Sequence, residues 1–323
     1  MKIVIVDCDH EGTRIERGVA EAAGHDLVVA SARTEAEVIA AAAAAAAIVV
    51  QYAPITRRVL ESLPELKAIG RYGVGYDTVD VEAATEHGVA LCTVPDYGTE
   101  DVSDHALALA LSLARGVVRL DAALRRGEHD LAPAKPLHRF SGRVFGVLGL
   151  GAIGAATARK AAGLGFSVIG HDPALLPGTT TPDGVLVRTF DELIAQADIL
   201  SLHVPLNAHT HHLIDDAVLA AMKPTAFLIN TCRGTVVDTD AIVQALQRGT
   251  IAGAGLDVFE QEPLPADHPL LALPNAVLTP HAAWYSEESY AELKQRVVEN
   301  VVAVIDGRTP RNIINPEVLG PRD

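Results

Sequence analysis

Six residues, Gly149 to Gly154, carry the spacing G-x-G-x-x-G between an apolar run that ends at Leu148 and an alanine-rich segment. In such a strand–turn–helix context the first glycine permits a tight turn, the second lets the backbone approach a pyrophosphate, and the third lets the helix pack on the strand. The N-terminus of the helix adds N–H donors and a positive dipole. The spacing therefore predicts a dinucleotide-binding loop with five contacting residues: Gly149, Gly151, Ala152, Ile153 and Gly154.

A carboxylate after the next apolar run selects the form of the dinucleotide. Asp172 occupies that position, and residues 173–178 contain neither Arg nor Lys. A carboxylate there accepts hydrogen bonds from the ribose 2′-OH of NAD and repels the 2′-phosphate of NADP. We therefore expect NAD as the cofactor. The alternative for Asp172 alone is a turn residue that caps the end of the strand.

Three later segments contain side chains suited to anion binding and proton transfer. They carry Arg233, the two acids Glu260 and Glu262, and His281, and each segment lies just after a strand candidate, where open parallel sheets gather their ligands. An arginine can bind a carboxylate through two parallel hydrogen bonds, and a histidine can exchange a proton near neutral pH. Taken singly, these residues would more often be a surface arginine, ordinary loop acids and a structural histidine.

Short apolar runs alternate with helical patterns along almost the whole chain, as is typical of parallel sheets that carry helices on both faces. The strand candidates of the first hundred residues are 2–6, 26–30, 47–51, 66–70 and 89–92. The later candidates are 143–148, 166–171, 185–187, 198–203, 226–230, 253–257 and 276–279. These runs predict an α/β protein with two doubly wound parallel-sheet domains.

The C-terminal part of the chain indicates how the two domains are connected. Residues 286–306 have helical periodicity and contain no strand candidate, so we expect the chain to return there to the first domain. A Rossmann NAD-binding domain, residues 99–284, would then be inserted in a flavodoxin-like substrate domain, residues 1–98 and 285–323.

Composition and charge argue against several classes of function. The 323 residues carry a formal net charge of −15, which disfavours nucleic acid as a partner. No apolar run is long enough to span a membrane, and three widely separated cysteines fit a reducing cytoplasm, where we expect the protein to work. His209, His211 and His212 have no nearby set of further ligands, so we expect a surface loop and no metal.

Taken together, these segments resemble the D-isomer-specific 2-hydroxyacid dehydrogenase family. The resemblance runs from about Ile48 to Asp306, and it is also carried by residues 71–77 (RYGVGYD), 94–100 (VPDYGTE) and 104–109 (DHALAL). It implies an NAD-dependent oxidoreductase acting on CH–OH groups, with three catalytic residues: Arg233, Glu262 and His281.

Two segments are most similar to one branch of that family, the C-terminal-binding protein group of corepressors and its bacterial relatives. They are residues 206–214 and 281–287. The chain departs from that group at Val74 and Val102, where the corepressors carry hydroxyl residues. The departure weakens the interpretation as a corepressor more than the interpretation as a dehydrogenase.

The resemblance implies reduction of a small 2-oxo acid to the 2-hydroxy acid. Arg233 would bind the substrate carboxylate and polarise the carbonyl, and the N–H groups of Val74 and Gly75 would hold the other carboxylate oxygen. His281 would donate the proton, and Glu262 would orient its ring and favour the charged imidazole.

The same resemblance implies further residues around each ligand. Around the NAD we expect Val102, His203, Val204, Pro205, Thr210, Thr231, Cys232 and Asp257, together with Arg233 and His281. Around the substrate we expect Tyr52, Arg71 and Trp284 with Val74 and Gly75. The resemblance also implies a homodimer formed through the cofactor domain and an arm near residues 121–139.

Two alternatives to this function stay open at this point. One is a non-catalytic, NAD(H)-sensing binding protein like the corepressors. The other is a dehydrogenase of another oxyanion such as phosphite. The sequence does not name the 2-oxo acid.

Overall fold

The computed structural model describes residues 1–320 and divides into two compact units. We call Met1–Gly98 together with the chain from Ser286 onwards the discontinuous unit, and Thr99–Tyr285 the inserted unit. The second boundary lies one residue after the expected one, and the last three residues of the predicted range lie outside the described residues. Each unit contains a parallel sheet, so the prediction of an α/β fold with two such sheets is confirmed.

The discontinuous unit is built on five strands, β1 (Lys2–Ile5), β2 (Asp26–Val29), β3 (Ala47–Val50), β4 (Ala68–Arg71) and β5 (Ala90–Cys92). Four helices connect them, α1 (Arg14–Ala22), α2 (Glu35–Ala41), α3 (Arg57–Glu61) and α4 (Val81–Glu86). The strands are parallel in the order β2-β1-β3-β4-β5, which is the flavodoxin-like order. Every residue of β3 is buried, as expected of a strand covered on both faces.

The inserted unit begins with two helices, α5 (Thr99–Ala114) and α6 (Val117–Arg125). Its strands are β6 (Val144–Leu148), β7 (Ser167–His171), β8 (Leu186–Val187), β9 (Ile199–Leu202), β10 (Phe227–Asn230), β11 (Gly253–Leu256) and β12 (Ala276–Leu278). Its other helices are α7 (Ala152–Gly163), α8 (Phe190–Gln196), α9 (Asp216–Ala221) and α10 (Thr239–Arg248).

The order of strands in the inserted unit creates a binding position. The parallel sheet has the order β12-β11-β10-β9-β6-β7-β8, so the chain winds in one direction from β6 and in the other from β9. Loops that leave the carboxyl ends of these two central strands diverge and open a crevice, where ligands of such folds bind. The glycine loop follows β6 directly.

Helix α5 lies against the same sheet because two glycines leave room for it. A Cβ at Gly255 in β11 would lie 2.9 Å from Cβ of Leu109, and one at Gly253 would lie 3.3 Å from Leu113. Only a strand without side chains at these positions lets the helix approach so closely. This contact fixes the position of α5 against β11, the strand that precedes the Glu262 loop.

The last helix, α11 (Glu287–Ile305), belongs to the discontinuous unit. Ser286 caps it by accepting a hydrogen bond from the Ser289 N–H, and Gly70 in β4 leaves space for it, since a Cβ there would lie 2.8 Å from Val301. Within residues 1–320, no helix has the length and apolar character needed to cross a membrane.

Candidate active site

The glycine loop has the geometry that its spacing predicts. Gly149 has φ +90°, and a Cβ on it would lie 2.5 Å from the carbonyl oxygen of His203. A Cβ on Gly154 would lie 1.9 Å from the carbonyl oxygen of Gly149, so only glycine lets α7 pack on β6. Gly151, by contrast, borders open space, and within the described chain no side chain caps the N-terminus of α7. These features leave a helix N-terminus accessible to a phosphate.

Asp172 directly follows β7 and lies beside the glycine loop. Its carboxylate accepts hydrogen bonds from the N–H groups of Leu150 and Ala174, each at 3.0 Å. An ionised carboxylate has about four acceptor positions, so two of them can still accept ribose hydroxyls.

The opposite side of the crevice is formed by the loop after β9 and the turn after β10. Burial lowers the pKa of His203 to about 4, so its ring is neutral, and Ser201 lies 2.9 Å from its Nε2. The backbone of Val204 interacts with the Cys232 thiol, and burial raises the pKa of that thiol to about 11. Oγ1 of Thr231 is buried and has no hydrogen-bond partner among the described residues. Such an unsatisfied buried hydroxyl fits a ligand that donates or accepts there.

Three other predicted cofactor residues are placed as follows. Thr210 donates its hydroxyl proton to the Pro205 carbonyl at 2.6 Å, so a phosphate would have to compete with this internal contact. Pro205 is exposed on the same loop, and Val102 is half-buried on α5. The roles of these residues stay predictions.

The turn that carries Arg233 is held by Asn230, the last residue of β10. The Asn230 side chain donates to the Arg233 carbonyl at 2.8 Å and accepts from the Cys232 N–H at 3.0 Å. Gly234 then packs against the next loop, because a Cβ on it would lie 1.9 Å from the carbonyl carbon of Phe259. The turn and the Glu262 loop are therefore in direct backbone contact.

Glu262 and His281 form a hydrogen-bonded pair. Oε2 of Glu262 lies 2.7 Å from Nδ1 of His281, and Oε1 accepts from the Phe259 N–H at 2.9 Å. Burial raises the pKa of Glu262, but the hydrogen bond and charge of His281, the Phe259 N–H and the charge of Arg233 outweigh it and hold that pKa below its usual value. Glu262 is therefore an anion near neutral pH, and it interacts electrostatically with both of the other predicted catalytic groups.

Asp257, immediately after β11, is fully buried and anchors the turn that carries His281. Its carboxylate accepts from Thr279 Oγ1 at 2.6 Å and from the N–H groups of Ala282 and Ala283, both at 2.9 Å. Its carbonyl accepts from the His281 N–H at 2.7 Å. His281 itself has φ +53°, which is uncommon for a residue with a side chain and needs such support. A contact of Asp257 with the nicotinamide amide stays a prediction beside this observed role.

The predicted substrate residues other than Trp284 belong to the discontinuous unit. Arg71 ends β4 and donates to the Tyr72 carbonyl, and Gly73 follows with φ +120°. Val74 is exposed and Gly75 half-buried. The exposed Tyr52 follows β3, where its N–H donates to the buried Asp7 carboxylate at 2.7 Å.

Trp284 is half-buried in the inserted unit, and its ring meets that of Tyr285 edge-on with centroids 5.6 Å apart. Within residues 1–320, no group of three or more His, Cys, Asp or Glu side chains is placed so that it could hold a metal ion. In the histidine-rich loop, His212 instead lies 3.2 Å from Glu260.

Sequence reasoning missed Asn230, Gly234 and Thr279 as supports of the site. Two of them left a signal in the sequence: Asn230 ends an otherwise apolar strand, and Gly234 directly follows the arginine. The contact of Thr279 with Asp257 joins residues that are 22 positions apart, and no local pattern predicts it.

The doubly wound sheet, the glycine loop and the acid after β7 together define an NAD-binding domain. Comparison with known proteins identifies the chain as an NAD-dependent oxidoreductase that acts on CH–OH groups. The family model for the NAD-binding domain of D-isomer specific 2-hydroxyacid dehydrogenases matches residues 107–283. The chain belongs to the D-isomer specific 2-hydroxyacid dehydrogenase family, and NAD is its cofactor.

Several named proteins are similar to the chain. The glyoxylate reductase of Korarchaeum cryptofilum is 43% identical over 272 residues, which are 83% of this chain and 82% of that protein. A glyoxylate reductase structure from Paecilomyes thermophila has a TM-score of 0.84 and 31% identity, with 97% of each chain covered. The D-lactate dehydrogenase structure from Aquifex aeolicus, complexed with NAD and lactic acid, has a TM-score of 0.86 and 27% identity, with 99% of this chain and 100% of that chain covered.

Gly234→Ala tests the backbone contact between the arginine turn and the glutamate loop. The added Cβ would lie 1.9 Å from the Phe259 carbonyl carbon, so the two loops must separate. We expect kcat/KM to fall about 100-fold in a folded protein, as for a catalytic group displaced by roughly an ångström. Gly163→Ala at the end of α7 is the matched control, since its Cβ meets nothing within 4 Å. Wild-type kinetics in Gly234→Ala would contradict the contact.

Asp172→Asn tests how the dinucleotide is selected. The amide keeps an acceptor oxygen but loses the charge, so the hydrogen bonds to the ribose weaken and a 2′-phosphate is no longer repelled. We expect the Kd for NADH to rise about 5- to 10-fold and the Kd for NADPH to fall. Fluorescence titration of both nucleotides measures this, with the exposed Asp191→Asn as control. An unchanged preference would show that Asp172 does not select the cofactor.

Proposed function

We propose that this protein reduces a small 2-oxo acid to the D-2-hydroxy acid with NADH, with Arg233, Glu262 and His281 as its catalytic residues. The observation that carries the proposal is the 2.7 Å contact between Nδ1 of His281 and Oε2 of Glu262, with the Arg233 charge acting on the same carboxylate. Relatives named glyoxylate reductase support a short substrate of this class.

The proposed chemistry starts with the substrate's negative charge. A 2-oxo acid carries a carboxylate beside an electrophilic carbonyl, and the Arg233 guanidinium binds the carboxylate and polarises the carbonyl oxygen. NADH, when bound, supplies the hydride that reduces the carbonyl carbon. As charge develops on the oxygen, the Arg233 guanidinium stabilises it.

His281 supplies the proton in the proposed reaction. Its Nδ1 is bonded to Glu262, so Nε2 is the nitrogen that can reach a substrate oxygen. The Glu262 anion attracts the positive charge of the imidazolium, and its lowered pKa keeps it ionised until the pH falls below the range of an ordinary glutamate. In the reverse direction His281 accepts the proton from the hydroxyl.

His281→Ala tests this assignment. General acid catalysis contributes about 10²- to 10⁴-fold, so we expect kcat for reduction of glyoxylate or pyruvate to fall by that factor. The Kd for NADH should change little, because only the predicted contact of His281 with the cofactor is lost, while the glycine loop and Asp172 are untouched. Stopped-flow turnover and NADH fluorescence measure the two constants. An unchanged kcat would show that His281 is not the proton donor.

A panel of substrates separates the proposal from its alternatives. A wild-type protein that binds NADH but turns over no 2-oxo acid, from glyoxylate to phenylpyruvate, would favour the NAD(H)-sensing role of the C-terminal-binding protein group. Oxidation of phosphite without reduction of 2-oxo acids would favour the oxyanion dehydrogenase. The closeness to that corepressor group and the cytoplasmic location stay predictions.

We further propose that the protein is a homodimer formed by the region around α6. Val117, Val118, Leu124 and Leu131 there are 46–59% exposed, an unusual concentration of apolar side chains on a surface. Beside them lies a cavity of about 260 Å³, lined by Arg119, Lys135 and Arg139 and by the ring of Phe140. The same region carries the exposed acids Asp121, Glu128 and Asp130, so a second copy could offer both apolar and acidic partners.

Leu131→Asp tests the dimer. Placing a charge among these apolar side chains should lower the dimer affinity at least 100-fold, because the charge would lose its hydration against the apolar side chains of the second copy. Sedimentation equilibrium of wild type and variant at micromolar concentration measures it. Leu271→Asp, at a similarly exposed leucine outside this region, is the control and should stay dimeric. A wild type that sediments as a monomer would refute the proposal.

A further inference from the structure

A histidine on α5 lies behind the turn that carries the predicted catalytic histidine. His105 has a side chain that is only 24% exposed, and its Nε2 lies 2.9 Å from Oγ1 of Thr279 and 3.5 Å from Oδ1 of Asp257. Helix α5 is held in place here by its close packing on Gly253 and Gly255 of β11. The proposed chemistry assigns His105 no part.

The hydrogen-bond directions in this group follow from its chemistry. The Asp257 carboxylate can only accept, so the 2.6 Å contact requires that Thr279 donates its single hydroxyl proton to Oδ1. Oγ1 of Thr279 must then accept from His105, which places a proton on Nε2 of His105. The result is a chain of two hydrogen bonds that runs from His105 through Thr279 to Asp257, in which each bond polarises the next.

The chain ends on the carboxylate that determines the backbone of the His281 turn. Asp257 is fully buried, and both of its oxygens are used: Oδ1 by Thr279 and the Ala282 N–H, and Oδ2 by the Ala283 N–H. The His281 N–H donates to the Asp257 carbonyl, so three consecutive residues are tied to one aspartate. His281 needs this support because its φ of +53° is unfavourable for a residue with a side chain.

We propose that His105 is a positioning residue for the reaction: its Nε2–H fixes Thr279, Thr279 fixes the Asp257 carboxylate, and that carboxylate holds the His281 turn so that the imidazole stays paired with Glu262. His105 touches neither substrate nor cofactor in this role. The inference rests on the proposed function of His281, and it adds a residue of α5 that sets the orientation of the acid.

Two substitutions at position 105 test the donor. His105→Leu removes the Nε2–H but keeps much of the side-chain volume, whereas His105→Gln keeps an N–H donor at a similar reach. We expect kcat to fall about 10- to 100-fold in His105→Leu, as for a slightly displaced catalytic group, with the Kd for NADH and the KM for the 2-oxo acid little changed. His105→Gln should recover most of the lost kcat. His87→Leu, at an exposed histidine of the discontinuous unit, is the control for a histidine-to-leucine change.

A second measurement does not depend on turnover. Long-range ¹H–¹⁵N spectra of protein labelled at its histidine ring nitrogens report which nitrogen carries the proton. In the wild type, neutral His105 should carry it on Nε2, and the His281 ring should show the bond from Nδ1 to Glu262. His105→Leu should shift or broaden the His281 signals, and His105→Gln should leave them near their wild-type positions. The His281→Ala and His105→Leu spectra assign the two rings.

Thr279→Val completes the test, because it breaks the chain at its middle. If His105 acts only through Thr279, the double variant His105→Leu/Thr279→Val should lose no more activity than Thr279→Val alone. Additive losses would overturn the proposal, as would a wild-type kcat in His105→Leu, equal losses in the Leu and Gln variants, or a proton on Nδ1 of neutral His105. If instead the wild type shows no turnover while the ring spectra behave as expected, the proposed function fails and the positioning chain stands.

Discussion

The site depends on one hydrogen bond, between Nδ1 of His281 and Oε2 of Glu262. The two residues are 19 positions apart and follow different strands, β11 and β12. They meet because β10, β11 and β12 are adjacent and parallel, so their carboxyl ends reach the same edge of the sheet. Arg233 follows β10 at that edge, which is why its charge acts on Glu262. A sheet with one of these strands reversed would place the three groups at opposite ends.

The supports of this pair differ in kind. Gly234 acts by the absence of a side chain, since any Cβ would collide with the Phe259 backbone. Asn230 and Asp257 act through hydrogen bonds of their buried side chains. Removing one partner of such a bond is destabilising, because it leaves the other buried polar group unsatisfied. A buried carboxylate is costly unless it is fully bonded, so Asp257 specifies one arrangement of the His281 turn and excludes others. The orientation of the histidine is thus fixed by its neighbours more than by its own side chain.

The sequence predicted the architecture well because the parallel strands are short, apolar and separated by helical segments. Each of the twelve predicted strands has a counterpart, five in one sheet and seven in the other. The run of eight alanines from Ala40 to Ala47 is less informative, because α2 ends at Ala41 and Ala44 turns with φ +58° although alanine favours helix. High helix propensity does not decide where a chain must turn to enter a strand.

Sequence patterns did not predict contacts between residues that lie far apart along the chain. The position of His105 behind Thr279 follows from how α5 packs on β11, and neither residue differs locally from ordinary helix and loop residues. The glycine loop and Asp172 could be found because their function requires fixed spacing along the chain. Asn230, Thr279 and His105 act through space, so only the packed structure brings them to notice.

The division of the chain has a consequence for its synthesis. A ribosome releases the N-terminal residues first, yet β4 of the discontinuous unit packs against Val297 and Val301 of α11, which emerges about two hundred residues later. The inserted unit is continuous and can complete its core as it leaves the exit tunnel. The first ninety-eight residues must wait, with the apolar surface around Gly70 exposed, until the final helix arrives. In a nascent chain, the unit whose synthesis begins first is therefore the unit whose core is completed last.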